Sequence, residues 1–133
     1  MLTICDTHIL LFWADRRDRL TKSALQALDK GIAEGNLACA AISFWEIAVL
    51  FRKNRLTLPT QHSPLSYMED IIDSLGLAIL PLTPGIAALA ESGIVAHGDP
   101  GDRLIAATAI SYQAPLITAD EKLRSIPGLR YIW

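Results

Sequence analysis

Short apolar runs alternate with helix-patterned segments along the whole chain, and this alternation narrows the possible folds more than any other feature. Residues 2–5 read as a buried strand and residues 7–14 as an apolar helix. A charged surface loop, residues 15–19, leads to Thr21, which caps a helix with Ala24, Leu25, Leu28 and Ile32 on one face and a stop near Gly35. Residues 37–42 read as the second strand, and Ser43 begins a helix to about Asn54. The loop 57–64 is too short to join two domains, and Pro64 then opens a helix closed by Gly76. A third strand at 77–82 precedes a helix from Pro84 to about Glu91, and a further helix starts at Asp99-Pro100 and ends near Gln113. Residues 115–118 form a fourth strand, a helical turn follows from Ala119, and residues 129–133 form the terminal strand. Strands separated by helices imply a parallel sheet with helices on both faces. In such folds the ligand site lies beyond the carboxyl ends of the strands.

A length of 133 residues fits one domain, 1–133, with one core. Hydrophobic residues make up 51% and mean hydropathy is +0.31, high for a soluble chain. Two explanations stand: parallel strands covered on both faces read as continuous apolar runs, and part of the apolar surface is meant for a partner chain. The net charge of −2 excludes a strongly basic nucleic-acid coat without excluding nucleic acid, because binding depends on where charge sits. Arg16, Arg17, Arg19 and Lys22 cluster, as do Arg52, Lys53 and Arg55; each cluster reads as solvated surface or as a phosphate track. Cys5 and Cys39 lie in strands without CxxC spacing, as core residues of a reducing compartment do. No basic leader opens the sequence, and the uncharged stretch 74–90 is broken by Gly76, Pro81, Pro84 and Gly85, so neither a signal peptide nor a membrane span is expected. The expected compartment is the cytoplasm.

Four acids stand apart from the mixed-charge surface, each with a structural explanation beside a chemical one. Asp6 is the only charged acid among residues 1–14 and sits where the first strand ends, as an N-cap or as a metal ligand. Glu46 lies among Phe44, Trp45, Ile47, Val49 and Leu50; Ser43 three residues earlier matches a capping box, yet a carboxylate in such company must be paired, protonated or bound to a cation. Asp99 and Asp102 flank Pro100 and Gly101 at a helix start; Asp99 suits a cap or a ligand, whereas Asp102 shares the inward face of Ile105, Ala106 and Ala109. Asp120 follows the fourth strand, and Thr118 before it suits either a turn cap or a hydrogen bond to a ligand carboxylate. Asp6, Glu46, Asp102 and Asp120 all fall at strand ends or at the helix starts beside them, so one sheet edge gathers them. Clustered carboxylates repel, and a compensating cation with oxygen ligands only is best supplied by Mg²⁺ or Mn²⁺. His8, His62 and His97 lack zinc-ligand spacing. Such ions support hydrolysis of a phosphodiester by activated water, without a nucleophilic side chain.

At these residues the chain resembles PIN-domain proteins, specifically the VapC-type toxins of bacterial toxin–antitoxin pairs. The likeness runs from Cys-Asp-Thr-His8 through Ala-Ile-Ser-Phe-Trp-Glu-Ile-Ala48 and His97-Gly-Asp-Pro-Gly-Asp-Arg-Leu-Ile-Ala-Ala107 to Leu116-Ile-Thr-Ala-Asp-Glu-Lys122 and the terminal strand. The resemblance implies a three-layer α/β/α sandwich with a parallel five-stranded sheet, often dimeric. It also implies an endoribonuclease in which Asp6, Glu46, Asp102 and Asp120, with Asp99 in the same pocket, bind Mg²⁺ or Mn²⁺. The partners it implies are an RNA substrate and a small antitoxin lying over the active site. Gly101 departs from the pattern, where a bulky residue is expected, and is expected to loosen the helix start that carries Asp102.

Rival readings fare worse. A haloacid-dehalogenase-like phosphotransferase wants a second Asp two residues after the first, where His8 stands, and neither a dinucleotide fingerprint nor a P-loop is present. An inactive PIN fold serving as an RNA-binding or interaction module would be expected to lack one of the acids. Arg103 suits either a phosphate or an ion pair with a neighbouring acid.

Overall fold

The computed structural model describes residues 1–57, 62–96 and 98–133. Its elements run β1 (Thr3–Cys5), α1 (Thr7–Asp15), a 3-10 turn (Arg17–Arg19), α2 (Lys22–Glu34), β2 (Leu37–Ala40), α3 (Ile42–Arg52), α4 (Pro64–Leu75), β3 (Ala78–Leu80), α5 (Pro84–Ala90), α6 (Pro100–Ser111), β4 (Leu116–Ile117), α7 (Glu121–Arg124) and β5 (Tyr131–Ile132). The strands form one sheet of five in the order β3-β2-β1-β4-β5, every pair parallel. From β1 the chain first builds outward through β2 and β3, then crosses back to lay β4 on the other side of β1. The strand order therefore reverses between β1 and β4, where open α/β sheets form a crevice at their carboxyl ends.

Side-chain alternation along each strand divides the core into two layers. Cys5, Leu37, Cys39 and Ile117 face Ile9, Leu10 and Trp13 of α1, Leu28 of α2, Ile47 of α3 and Ile71 of α4. Their neighbours Ile4, Ala38, Ala40 and Leu116 face Ile105, Ala106 and Ala109 of α6 and Leu123 of α7. On the outside of α6, Ala107 packs against Ile86 and Ala90 of α5. This is the expected three-layer sandwich. Each fully buried Ile or Leu, such as Ile4, Leu28 or Ile105, contributes about 1.5–3 kcal/mol through burial.

Helix limits follow local chemistry. Thr21 accepts from Ala24 N at 3.1 Å to cap α2, and Ser63 with Ser66 forms a capping box ahead of Pro64 in α4. Gly35 and Gly76 end α2 and α4 with φ of 68° and 62°, in the left-handed region that glycine enters without a Cβ penalty. Two expectations need correction. Ser43 does not cap α3: the helix begins at Ile42 with Ala41 before it and no capping side chain, so no capping box with Glu46 forms. The charged loop after α1 is wound into a 3-10 turn, held by an Arg16–Asp18 ion pair at 3.0 Å. Part of the expected 57–64 loop, residues 58–61, lies outside the described residues, as does His97.

Both explanations for the apolar composition find support. β2 is buried along its whole length, as a strand covered on both faces must be. Large hydrophobic side chains are nonetheless exposed at Trp45, Leu65, Ile79, Leu82 and Ile94. Among the described residues no helix is long and apolar enough to cross a membrane.

Candidate active site

Asp6 is placed by the first strand. Its backbone N–H continues the ladder by donating to Ile117 O of β4 at 3.0 Å, and its side chain then caps α1 by accepting from Thr7 N at 2.8 Å. The second carboxylate oxygen accepts from the Thr118 hydroxyl at 2.7 Å. The side chain sits between β1 and β4, at the switch point, and only 4% of the residue is exposed. Burial raises its pKa above the ordinary 3.8, against the pull of the Thr118 and Thr7 hydrogen bonds.

Glu46 reaches the same place from α3. Its Oε1 accepts from the Thr7 hydroxyl at 2.6 Å, while that hydroxyl also lies 2.9 Å from the Ser43 hydroxyl. One hydroxyl carries one proton, so Thr7 serves the carboxylate and Ser43 donates to Thr7. Burial raises the Glu46 pKa, with repulsion from Asp6 and Asp99 adding to it and the Thr7 bond opposing it. The other oxygen, Oε2, rests over the start of α6: a Cβ at Gly101 would lie 2.5 Å from it. Asp99 still caps α6, accepting from Asp102 N at 3.1 Å, and the glycine supplies room for Glu46.

Asp99 and Asp102 join Glu46 from below. One oxygen from each of the three lies within 4.8 Å of the others. The Asp102 pKa is pushed up to about 7, by burial first and then by Asp6, Asp99, Glu46 and Asp120. Asp120 caps α7 through Lys122 N at 2.9 Å, and its own N–H donates to Thr118 Oγ1 at 3.1 Å. All five acids line one cavity of about 310 Å³, with His8, Phe12 and Ala119. Asp6 and Asp120 share the cavity without belonging to the tight triad, whereas Asp99 belongs to it while also capping α6.

Thr118 does both things its position allowed, anchoring Asp6 and receiving Asp120 N–H. Thr7 was not singled out by sequence reasoning, and its signal was a buried hydroxyl opening an otherwise apolar helix. Arg103 pairs with Glu91 at 3.0 Å, the ion-pair alternative. Of the basic clusters, Arg17 stacks on Trp13 with 3.8 Å to the ring centroid, and Lys53 lines a groove that adjoins the acids.

The donor set fits a hard divalent cation. All of its atoms are carboxylate oxygens, and burial together with mutual repulsion raises the pKa values of Asp6, Glu46 and Asp102, so negative charge is under-compensated there. Mg²⁺ and Mn²⁺ take oxygen ligands, and one carboxylate oxygen from each of Glu46, Asp99 and Asp102 is available within 4.8 Å of the others to hold such an ion.

Comparison with known proteins gives consistent relatives. The PIN domain family model matches residues 3–129. Ribonuclease VapC22 of Mycobacterium tuberculosis (strain ATCC 25618 / H37Rv) is 35% identical over 123 residues, covering 92% of this chain and 89% of that protein. VapBC2 from Rickettsia felis, solved bound to a DNA fragment from their promoter, aligns with a TM-score of 0.73 at 20% identity, covering 98% of this chain and 97% of that one. A toxin-antitoxin complex from Klebsiella pneumoniae aligns at 0.65 with 23% identity, covering 96% and 94%. At such identities the structural likeness speaks to the fold.

Proposed function

The chain belongs to the PIN domain family, and from that premise we propose that it is a metal-dependent endoribonuclease, the toxin of a toxin–antitoxin pair. The observation that carries the reading is the convergence of Asp6, Glu46, Asp99, Asp102 and Asp120 on one cavity at the switch point of the sheet. The relative that shares 35% identity is named a ribonuclease, and one structural neighbour is a toxin-antitoxin complex, which supports a small antitoxin as partner. The whole chain acts as one domain in this reading, in the cytoplasm and as a homodimer.

Glu46, Asp99 and Asp102 would hold Mg²⁺ or Mn²⁺, with Asp6 beside them and Asp120 engaged directly or through water. When bound, the ion lowers the pKa of a water and offsets charge on phosphate oxygens. The protein's part is to fix the ligands. Thr7 N–H and Thr118 Oγ1 each hold one oxygen of Asp6, and Thr7 Oγ1 holds one oxygen of Glu46. Each oxygen so held keeps a lone pair for the site. Phe12 and Ala119 add apolar surface to the cavity wall beside the acids.

The test is cleavage of RNA by purified protein. Cleavage is expected with Mg²⁺ or Mn²⁺, and is expected to be lost in chelator and in Asp6→Asn, with the variant still folded by circular dichroism. Cleavage that persists in chelator or in Asp6→Asn overturns the mechanism.

A further inference from the structure

We propose that the groove beside the acids, floored by α3, is a nucleobase subsite in which Trp45 stacks on a base of single-stranded RNA next to the scissile phosphate. The proposal rests on the ribonuclease reading and adds what the enzyme holds besides the phosphate. Trp45 precedes Glu46 in the chain, yet while Glu46 turns into the acid cavity, Trp45 is 63% exposed. The exposed indole does not stand alone, because Val49, Leu50 and Pro100 line the same groove. Trp45 and Val49 of α3 and Lys53 at its C-cap recur every four residues and so form one stripe, about 12 Å long from first to last. Together with Pro100 and Gly101 they line a groove of about 350 Å³.

The groove is continuous with the reaction site, because His8, Glu46 and Asp99 line both cavities. A phosphodiester held at the acids must send a flanking nucleotide into adjoining space, and this groove is such a space. Its chemistry suits that occupant in order. An indole face stacks on any base, an aliphatic wall follows at Val49, and the Lys53 ammonium at the far end meets the next phosphate. The subsite is therefore tolerant of sequence, since stacking reads no base edge.

Binding is measured with the inactive Asp6→Asn protein and a fluorescein-labelled, mixed-sequence, short single-stranded RNA, so that the result does not depend on turnover. Adding Trp45→Ala is expected to weaken binding roughly five- to a hundredfold, while Trp45→Phe keeps most of the affinity. A fully abasic ribose-phosphate oligomer is expected to bind the tryptophan and alanine proteins equally, because it offers nothing to stack. RNA affinity that is unchanged in Trp45→Ala overturns the subsite, as does an equal loss for the abasic oligomer. If Trp45→Ala leaves RNA binding intact but breaks self-association in sedimentation, the face is a protein interface and the proposal fails. Failure of the wild-type protein to cleave RNA, with Trp45-dependent binding intact, counts against the ribonuclease reading and leaves the subsite standing.

Discussion

Replacing Gly101 with alanine adds one methyl group where α6 begins beneath the Glu46 carboxylate. The new Cβ would lie 2.5 Å from Glu46 Oε2, 2.9 Å from its Cδ and 3.2 Å from Asp99 Oδ1. Ordinary contact starts near 3.4 Å, so the overlap with Oε2 is 3.4 − 2.5 = 0.9 Å, and the carboxylate must move by about that much. The far end of a glutamate moves easily, which keeps the cost to folding small. Against it stands the helix preference for alanine over glycine, about 0.8–1 kcal/mol in a helix interior and less in the first turn. A weakened Thr7–Glu46 hydrogen bond removes about 1 kcal/mol. Net stability should therefore stay within about 1 kcal/mol of wild type, a few degrees in Tm at most. Function should not be spared, because a misplacement of about 1 Å in a positioned group costs on the order of a hundredfold in rate. Thermal unfolding in chelator, Mn²⁺ titration calorimetry and RNA cleavage together read the three consequences. Unchanged Mn²⁺ affinity and cleavage would refute the argument that Gly101 seats Glu46, and a large drop in Tm would mean the backbone, not the carboxylate, absorbs the clash.

Two further outcomes separate the roles of the acids. Asp99→Asn keeps a good helix cap but loses the charge, so Tm should hold while Mn²⁺ affinity falls at least several-fold; equal affinity in calorimetry reduces Asp99 to a cap. The metal-free protein should lose stability between about pH 5 and 8 when Tm is followed in chelator. Asp102 titrates near 7 when folded and near 3.8 otherwise, so its protonated form favours folding at low pH, and that contribution is lost as pH rises through 7. The ceiling is about 4 kcal/mol for a fully buried group, and the half-exposed position of Asp102 cuts it to about 1–2 kcal/mol. Asp6 and Glu46, also raised by burial, push in the same direction. A Tm in chelator that is flat or rising across this range would falsify the account of under-compensated charge.

The order of elements was legible because period-2 and period-3.6 patterns, N-caps and glycine stops are local. Thr21, Pro64, Gly35 and Gly76 act where their chemistry says they should. Contacts between distant segments were not legible in that way. The Ser43–Glu46 spacing reads as a capping box, but β2 hands directly into α3, with Ala41 N–H donating to Leu80 O of β3 at 2.8 Å. The helix starts early enough to put Ser43 inside it. The same three-residue spacing then sets a hydroxyl and a carboxylate on one helix face, and both meet Thr7. Nothing within α3 announces a partner 39 positions away. Gly101 was similarly opaque, since its reason is the close approach of Glu46 from another helix.

Capping and metal binding looked like competing explanations for the acids, and the geometry shows why they need not compete. Asp6, Asp99 and Asp120 are the N-caps of α1, α6 and α7, and three helix starts meet at one cavity. Each start carries roughly half a positive charge, which favours an anion there, though α7 is too short to contribute much. These starts offset part of the repulsion among carboxylates that β-strand ends alone would leave untouched. The offset is incomplete, because Asp102 remains shifted to about 7, by burial first and then by repulsion from the neighbouring carboxylates. A cap also uses a single lone pair, so Asp6 can accept from Thr7 and Thr118 and still present both oxygens to the cavity. In the proposed enzyme the helix starts thus place and partly stabilise the acids, and the remaining charge is what gives a divalent cation its affinity.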